Sequence, residues 1–291
     1  MTIYNLGSIN IDHIYRLEHL PRAGETLASG GYSLGLGGKG ANQSVAAARA
    51  GAQVVHIGAM SHQDDWVIDT LKSAGVETAA IARLPETATG HAIILVEESG
   101  ENSIILHGGA NRALDPAAIA AAMSSIRPTD SLLIQNETSL QVLAATRAFT
   151  SGARVIYSAA PFAIEALQAV LSHVSIIALN TIEARDLFEH FGSDLPVDGL
   201  LITHGADGAE YRDLKSGESY FQKSFAVRAV DTTGAGDCFA GWFAAGLDRG
   251  EDIATALRHA AAAAALQVTR QGAGSAMPNR SEVMQFLDAQ R

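Results

Sequence analysis

The sequence predicts a doubly wound α/β fold, a mostly parallel sheet flanked by helices, with a small antiparallel sheet projecting from it. Two observations carry this expectation. Short apolar runs alternate with helix-length segments that stop at glycine, the pattern of buried parallel strands joined by crossover helices. Two further regions alternate polar with apolar residues, as strands with one wet face do.

In chain order, the apolar runs are Ile3 to Leu6, Val54 to Ile57, Ser131 to Ile134, Arg154 to Tyr157, Ser175 to Leu179 and Gly199 to Thr203. The helical segments are Ala41 to Ala50 before Gly51, Asp64 to Ala74 before Gly75, Asp115 to Ile126, Ser139 to Phe149, Phe162 to His173, and Thr181 to Phe191 before Gly192. A glycine just past the last periodic residue is a helix stop. Lid strands are expected within about 11–36 and 88–107, as in Ile11-Asp12-His13-Ile14-Tyr15-Arg16-Leu17. From Gly234 onward the pattern is mostly helical and ends in an Ala-rich helix followed by Arg270 to Gly274. No Pro/Ser linker or fixed-period repeat interrupts it, so residues 1–291 read as one unit with the lid inserted.

Composition excludes several classes of function. With 47% hydrophobic and 18% charged residues in 291, the chain is not intrinsically disordered. Lys and Arg number 20 against 31 Asp and Glu, a formal charge of -11 that repels nucleic acid and anionic membranes. The one cysteine, Cys238, permits no intrachain disulfide and no multi-cysteine zinc site, which suits a reducing compartment. Asp12 and Arg16 interrupt the N-terminus before any signal-like stretch, and the Ala260 to Leu266 run is far below the roughly 18 residues that span a bilayer. The expectation is a cytoplasmic protein, neither exported nor inserted in a membrane.

The most informative segment is Asp231-Thr232-Thr233-Gly234-Ala235-Gly236-Asp237, leading from a strand end into a helix. Helix capping by Thr233 or Gly234, with Asp237 against the dipole, explains the acid but not two glycines, each costing about 1 kcal/mol relative to Ala. Amides at a helix N-terminus bind anions, and a carboxylate beside them has a use if it collects a proton, so the pair suggests an anion hole plus a general base. A second cluster, Gly35-Leu36-Gly37-Gly38-Lys39-Gly40-Ala41-Asn42-Gln43, formally contains G-x-G-x-x-G, but what precedes it is a half-exposed region and not a buried strand. Gly40 follows Lys39 where a Walker A loop needs Ser or Thr. Asn180 and Glu183 have the spacing of a capping box, and the same offset aims both at a phosphate-bound Mg²⁺ if a nucleotide site exists. Asn10 and Asp12 lie past the first strand, and Glu137 past the Ser131 run, where open α/β sheets place ligands. Neither HExxH nor G-x-S-x-G occurs.

The chain resembles the ribokinases of the PfkB sugar-kinase family from its N-terminus to its last helix. The resemblance rests on Gly7-Ser8-Ile9-Asn10-Ile11-Asp12, Pro21-Arg22-Ala23-Gly24-Glu25-Thr26, Gly37 to Gln43, Gly100-Glu101-Asn102, Gly109-Ala110-Asn111 and Asp231 to Asp237. It implies Asp237 as the base on the sugar hydroxyl, and the amides of Gly234, Ala235 and Gly236 as stabilisers of the transferring phosphoryl group. Asn10, Asp12, Gly38, Lys39, Asn42 and Glu137 would hold the sugar. Asn180 and Thr203, His204, Gly205, Ala206, Asp207 and Gly208 would line the ATP site with Gly236, while Glu183 organises Mg²⁺ through water. A monovalent cation (K⁺) site is implied at Asp231, Thr233, Gln267, Arg270 and Gly272. There the sequence departs from the family, with Ala276 where a Ser hydroxyl is usual. A second departure places Ala261 at a polar adenine-side position, His259 lying two residues before it. The implied activity is ATP-dependent phosphorylation of D-ribose to D-ribose 5-phosphate, by a homodimer joined through the lid. Kinases for another sugar or a nucleoside, a nicotinamide-dependent oxidoreductase using the Gly35 cluster, and a non-catalytic sugar sensor are the alternatives.

Overall fold

The computed structural model describes residues 1–99 and 101–290; Gly100, from one of the motifs above, lies outside the described residues. The first half runs β1 (Thr2–Leu6), β2 (Asn10–Leu17), β3 (Gly31–Gly37), α1 (Lys39–Arg49), β4 (Gln53–Ser61), α2 (Asp65–Ser73), β5 (Val76–Glu77), β6 (Ile81–Leu84), β7 (Gly90–Glu97), β8 (Asn102–His107) and α3 (Pro116–Ala122). Next come β9 (Ser131–Gln135), α4 (Gln141–Thr150), β10 (Arg154–Ser158), α5 (Ile164–Val170), β11 (Ile176–Asn180), α6 (Thr181–Phe191) and β12 (Gly199–Thr203). The chain ends with β13 (Gly208–Asp213), β14 (Ser219–Lys223), α7 (Ala235–Asp248), α8 (Ile253–Gln267) and α9 (Arg280–Ala289).

The main sheet has the order β14-β13-β12-β11-β10-β9-β1-β4-β5, with β6 also paired to β4. It is parallel except for the β12-β13-β14 edge. The central strands β1 and β9 are almost entirely buried, which is why their sequences are apolar on both faces. One face is packed by α1, α2 and α7 to α9 around Trp242 and Phe243, the other by α3 to α6 around Leu132 and Tyr157. Strand order reverses beside β1, whose neighbours are β4 and β9, and a crevice opens along the carboxyl ends of β10, β11 and β12, at Ser158, Asn180 and Thr203.

The sheet expected to form the lid is a separate four-stranded one, β3-β2-β7-β8. Its two hairpins are antiparallel, and a parallel seam between β2 and β7 joins them. Several boundaries differ from the sequence expectation, among them that of the strand expected to end at Ile57, which runs to Ser61. The helix expected to reach Ile126 ends at Ala122, where Met123 leaves helical geometry as its side chain enters the core. The helix expected from Phe162 begins at Ile164, because Ala163 is extended, and its last residues form a 3₁₀ turn, Leu171–His173. The edge hairpin β13-β14 matches no expected element.

Candidate active site

Helix α7 begins at Gly234, whose φ of 78° is left-handed and whose position leaves no room for a Cβ beside Ala273. That geometry turns the first amides of α7 into the crevice. Ala235 N–H donates to Thr232 O at a long 3.2 Å, while the Gly234 and Gly236 amides have no partner among the described residues. A Cβ at Gly236 would meet nothing, so the backbone is open on the cleft side. One turn on, Asp237 is buried and lines the same cleft as Lys39, Asn180, Glu183, Thr203, Gly234, Ala235 and Gly236.

Helix α1 is brought to this place by a backbone crossing. Gly7 and Gly40 approach so closely that a methyl on either would overlap the other's Cα. Ala41 N–H donates to Ser8 O at 2.8 Å, pinning the first turn of α1 to the end of β1. From that turn, Asn42 Nδ2 donates to Asp237 Oδ2 and Gln43 Nε2 to Asp237 Oδ1, both at 3.1 Å.

Gln43 is the end of a buried chain that sequence reading did not find. Gln135 Nε2 donates to Gln43 Oε1 at 2.8 Å and to Asn5 Oδ1 at 2.9 Å. Asn5 Nδ2 donates to Gly40 O and to Ser44 Oγ, both at 2.9 Å. Ser44 Oγ lies 2.8 Å from His56 Nδ1, and His56 Nε2 lies 3.1 Å from Gly7 O. All five side chains are fully buried. The signal available was polar residues inside apolar strands, Asn5 in β1 and Gln135 at the end of β9.

The electrostatics follow from burial. Desolvation pushes the Asp237 carboxyl up, opposed by the Lys39 charge and by the amides of Asn42 and Gln43. Burial pulls the Lys39 ammonium down, but the carboxylates of Asp237, Glu137 and Glu183 outweigh it and the net direction is up. Asp12 is pushed up to about 6, first by burial and then by the Glu137 charge.

The expected sugar-side residues gather at the base of the lid. Asn10 is buried, its Oδ1 accepting from Asn111 Nδ2 at 2.8 Å, and the Asp12 carboxylate covers Gly37 across the lid pairing. Gly38 joins β3 to α1. Glu137 does not begin a helix. It sits in a turn, where its Oε2 accepts from Ser8 Oγ at 2.5 Å and from Lys39 N–H at 3.0 Å. On the nucleotide side, Asn180 and Glu183 do form the capping box, and they also line the cleft. Thr203 lines it too, but His204 to Gly208 do not: Gly205–Asp207 form a 3₁₀ turn just beyond it, tied back by the 3.0 Å contact of His204 Nδ1 with Thr181 Oγ1.

Two ions were expected. The residues present fit magnesium, because one half-buried carboxylate, Glu183, faces the cleft, and Mg²⁺ normally takes one or two carboxylates with phosphates and water. As paired here they do not fit a monovalent cation, although the buried Oε1 of Gln267 is left without a partner among the described residues. Asp231 is occupied by the amides of Thr233 and Gly272, both at 2.9 Å. The carbonyls of Thr233 and Gly272 both accept from Gln267 Nε2, at 2.8 and 3.1 Å. Arg270 Nη2 donates to Glu282 Oε1 at 2.6 Å and its Nη1 to Ala276 O at 3.5 Å.

The dinucleotide alternative also fails on placement. Gly35 and Gly37 lie within lid strand β3, most of which is exposed or half-buried, and not in a turn after a buried strand. The model of the pfkB family of carbohydrate kinases matches residues 2–280. A ribokinase of Haemophilus influenzae is 37% identical, with 99% of this chain and 98% of that protein covered. Among solved structures, a ribokinase of Cryptococcus neoformans in complex with ADP superposes with TM-score 0.87 at 32% identity, covering 98% of this chain and 99% of that one. A ribokinase of Arabidopsis thaliana complexed with ribose and ATP gives 0.86 at 28% identity, covering 98% of each. Matched along almost its whole length, and carrying a buried carboxylate beside open helix-terminal amides, this chain belongs to the pfkB family of carbohydrate kinases.

Proposed function

We propose that the chain transfers the γ-phosphoryl group of ATP to the primary hydroxyl of D-ribose. The observation that carries this reading is the placement of Asp237 and the open amides of Gly234 and Gly236 on one cleft, in a chain so similar to a ribokinase. Asp237 takes the proton of the sugar hydroxyl as its oxygen bonds to the γ-phosphorus; the bond from that phosphorus to the bridging oxygen breaks, and ADP leaves. The amides of Gly234, Ala235 and Gly236 receive the charge on the transferring oxygens, Ala235 by exchanging its long bond to Thr232 for a phosphate oxygen. Asn10, Asp12, Gly38, Lys39, Asn42 and Glu137 hold the sugar, the unpartnered buried Oδ1 of Asn42 being one acceptor for a hydroxyl. Asn180, Thr203 and the turn from His204 to Gly208 receive the nucleotide. Glu183 would hold magnesium through water, and the ion would supply charge neutralisation at the phosphates.

An ADP-release assay across sugars and nucleosides tests the reading, with D-ribose expected to give the highest kcat/KM. A nucleoside in first place would overturn the substrate and keep the chemistry. No ADP from any acceptor would overturn both.

The chain acts, on this reading, as one unit in the cytoplasm, where a reducing environment suits the buried thiol of Cys238. It pairs through the lid. Edge strand β8 exposes Ile104, Ile105 and Leu106 by 52%, 60% and 59%, an apolar edge of the kind that proteins normally cover. Sedimentation should give twice the 30.4 kDa chain mass, and Ile105→Lys should give monomers. A wild-type monomer at micromolar concentration would remove the lid contact.

A further inference from the structure

We infer that the side-chain amide of Gln267 does the structural work of a bound monovalent cation, so that this kinase turns over without one. The inference rests on the kinase reading, and its starting point is the misfit at the loop preceding α7.

Gln267 is the last residue of α8 and is fully buried. Its Nε2 reaches Thr233 O, one residue before the left-handed Gly234 that opens the anion hole, and Gly272 O in the loop after α8. An amide nitrogen has two hydrogens, and two carbonyls take both. The opposite orientation would set Oε1 against two carbonyl oxygens, so the assignment of nitrogen and oxygen is fixed by its surroundings. Bare carbonyl oxygens converging in a buried site repel one another and call for a positive centre, which a desolvated alkali ion provides elsewhere. Here the positive ends of two N–H bonds stand at that point. Both flanking segments are tied down besides: Asp231 accepts from Gly272 N–H and Thr233 N–H, and Val268 O accepts from the amides of Val230 and Asp231 at 2.7 and 3.1 Å. Gln267 therefore joins the loop that shapes the anion hole to the loop behind it, acting as a positioning residue without touching substrate. Ala276 fits this picture, since a site with no ion needs no hydroxyl at the end of the loop.

The test compares 100 mM potassium chloride with 100 mM tetramethylammonium chloride, at about equal ionic strength. Wild-type kcat should agree within about two-fold between the salts. Gln267→Ala removes the amide and bares both carbonyls, so it should fall at least about ten-fold in tetramethylammonium and recover most of that loss in potassium, as a loss of about 1.4 kcal/mol or more in transition-state stabilisation would give. Gln267→Glu, which keeps the side-chain length and puts an anion at the same point, should also become potassium-dependent. Thermal melting without substrates provides a readout independent of turnover: potassium should raise the Tm of Gln267→Ala and leave that of the wild type unchanged. A failure of the kinase reading would silence the assays and leave the melting contrast intact. Wild-type turnover or melting that rises markedly with potassium would overturn the inference. So would a Gln267→Ala protein indistinguishable from wild type in both salts, or one that still melts cooperatively but that potassium neither stabilises nor reactivates.

Discussion

Asp237→Asn should lose about 10²–10⁴ of kcat while binding ribose and ATP with little change, because a positioned base is worth that much in rate. The variant should fold normally. Replacing the carboxylate sacrifices one of the two amide bonds it receives, worth about 1 kcal/mol, and up to about 1 kcal/mol of helix-dipole interaction, but it also removes a charge from a site fully closed to solvent. The two effects oppose each other, so Tm should move by a few degrees at most. Turnover within about five-fold of wild type would refute the role of Asp237 as base.

Ribose should be preferred over 2-deoxyribose by a wide margin, with roughly 10⁴–10⁵ as the upper bound for a site built around hydroxyl partners. The reason is local: Asn10, Asp12 and Asn42 offer acceptors that are buried or half-buried, and a missing hydroxyl leaves one without a donor. Asp12→Ala should weaken ribose and narrow the gap. Asp12 also gives the preference a pH signature. Its pKa is raised to about 6, so it is mostly ionised at pH 7 and gains a proton as the pH falls through 6. The KM for ribose should rise over that interval in the wild type and stay level in Asp12→Asn. Equal kcat/KM for the two sugars, or an acid limb that survives Asp12→Asn, would refute the assignment.

The parts of this molecule legible in its sequence are those whose physics is local. The apolar runs of β1, β9 and β12 announce strands buried on both faces, and Thr181–Phe191 is bounded by its own capping box and by Gly192. The open start of α7 was visible because glycine in a first helical turn is costly without a use. Asn5, Gln43, Gln135 and His56 escaped notice because each is unremarkable among its neighbours, and their connection spans up to 194 residues of separation. Gln267 escaped for the opposite reason: its backbone position matched a family pattern, and only the placement of its side chain shows what it replaces. The hairpin β13-β14 was missed because half-polar alternation in a short edge segment looks like a loop.

The direction of the buried chain makes the two oxygens of Asp237 unequal as proton stores. Main-chain carbonyls fix its far end, Gly7 O facing His56 Nε2 and Gly40 O facing Asn5 Nδ2, so no amide along it can turn over without setting oxygen against oxygen. An N–H is thus permanently presented to Oδ1, and a proton placed there would meet another hydrogen. Oδ2 accepts from Asn42 Nδ2, and the Oδ1 of that same amide has no partner among the described residues. On the proposed reading, Oδ2 is the oxygen that takes the proton of the acceptor hydroxyl, and each catalytic cycle closes only when that proton has been returned to water.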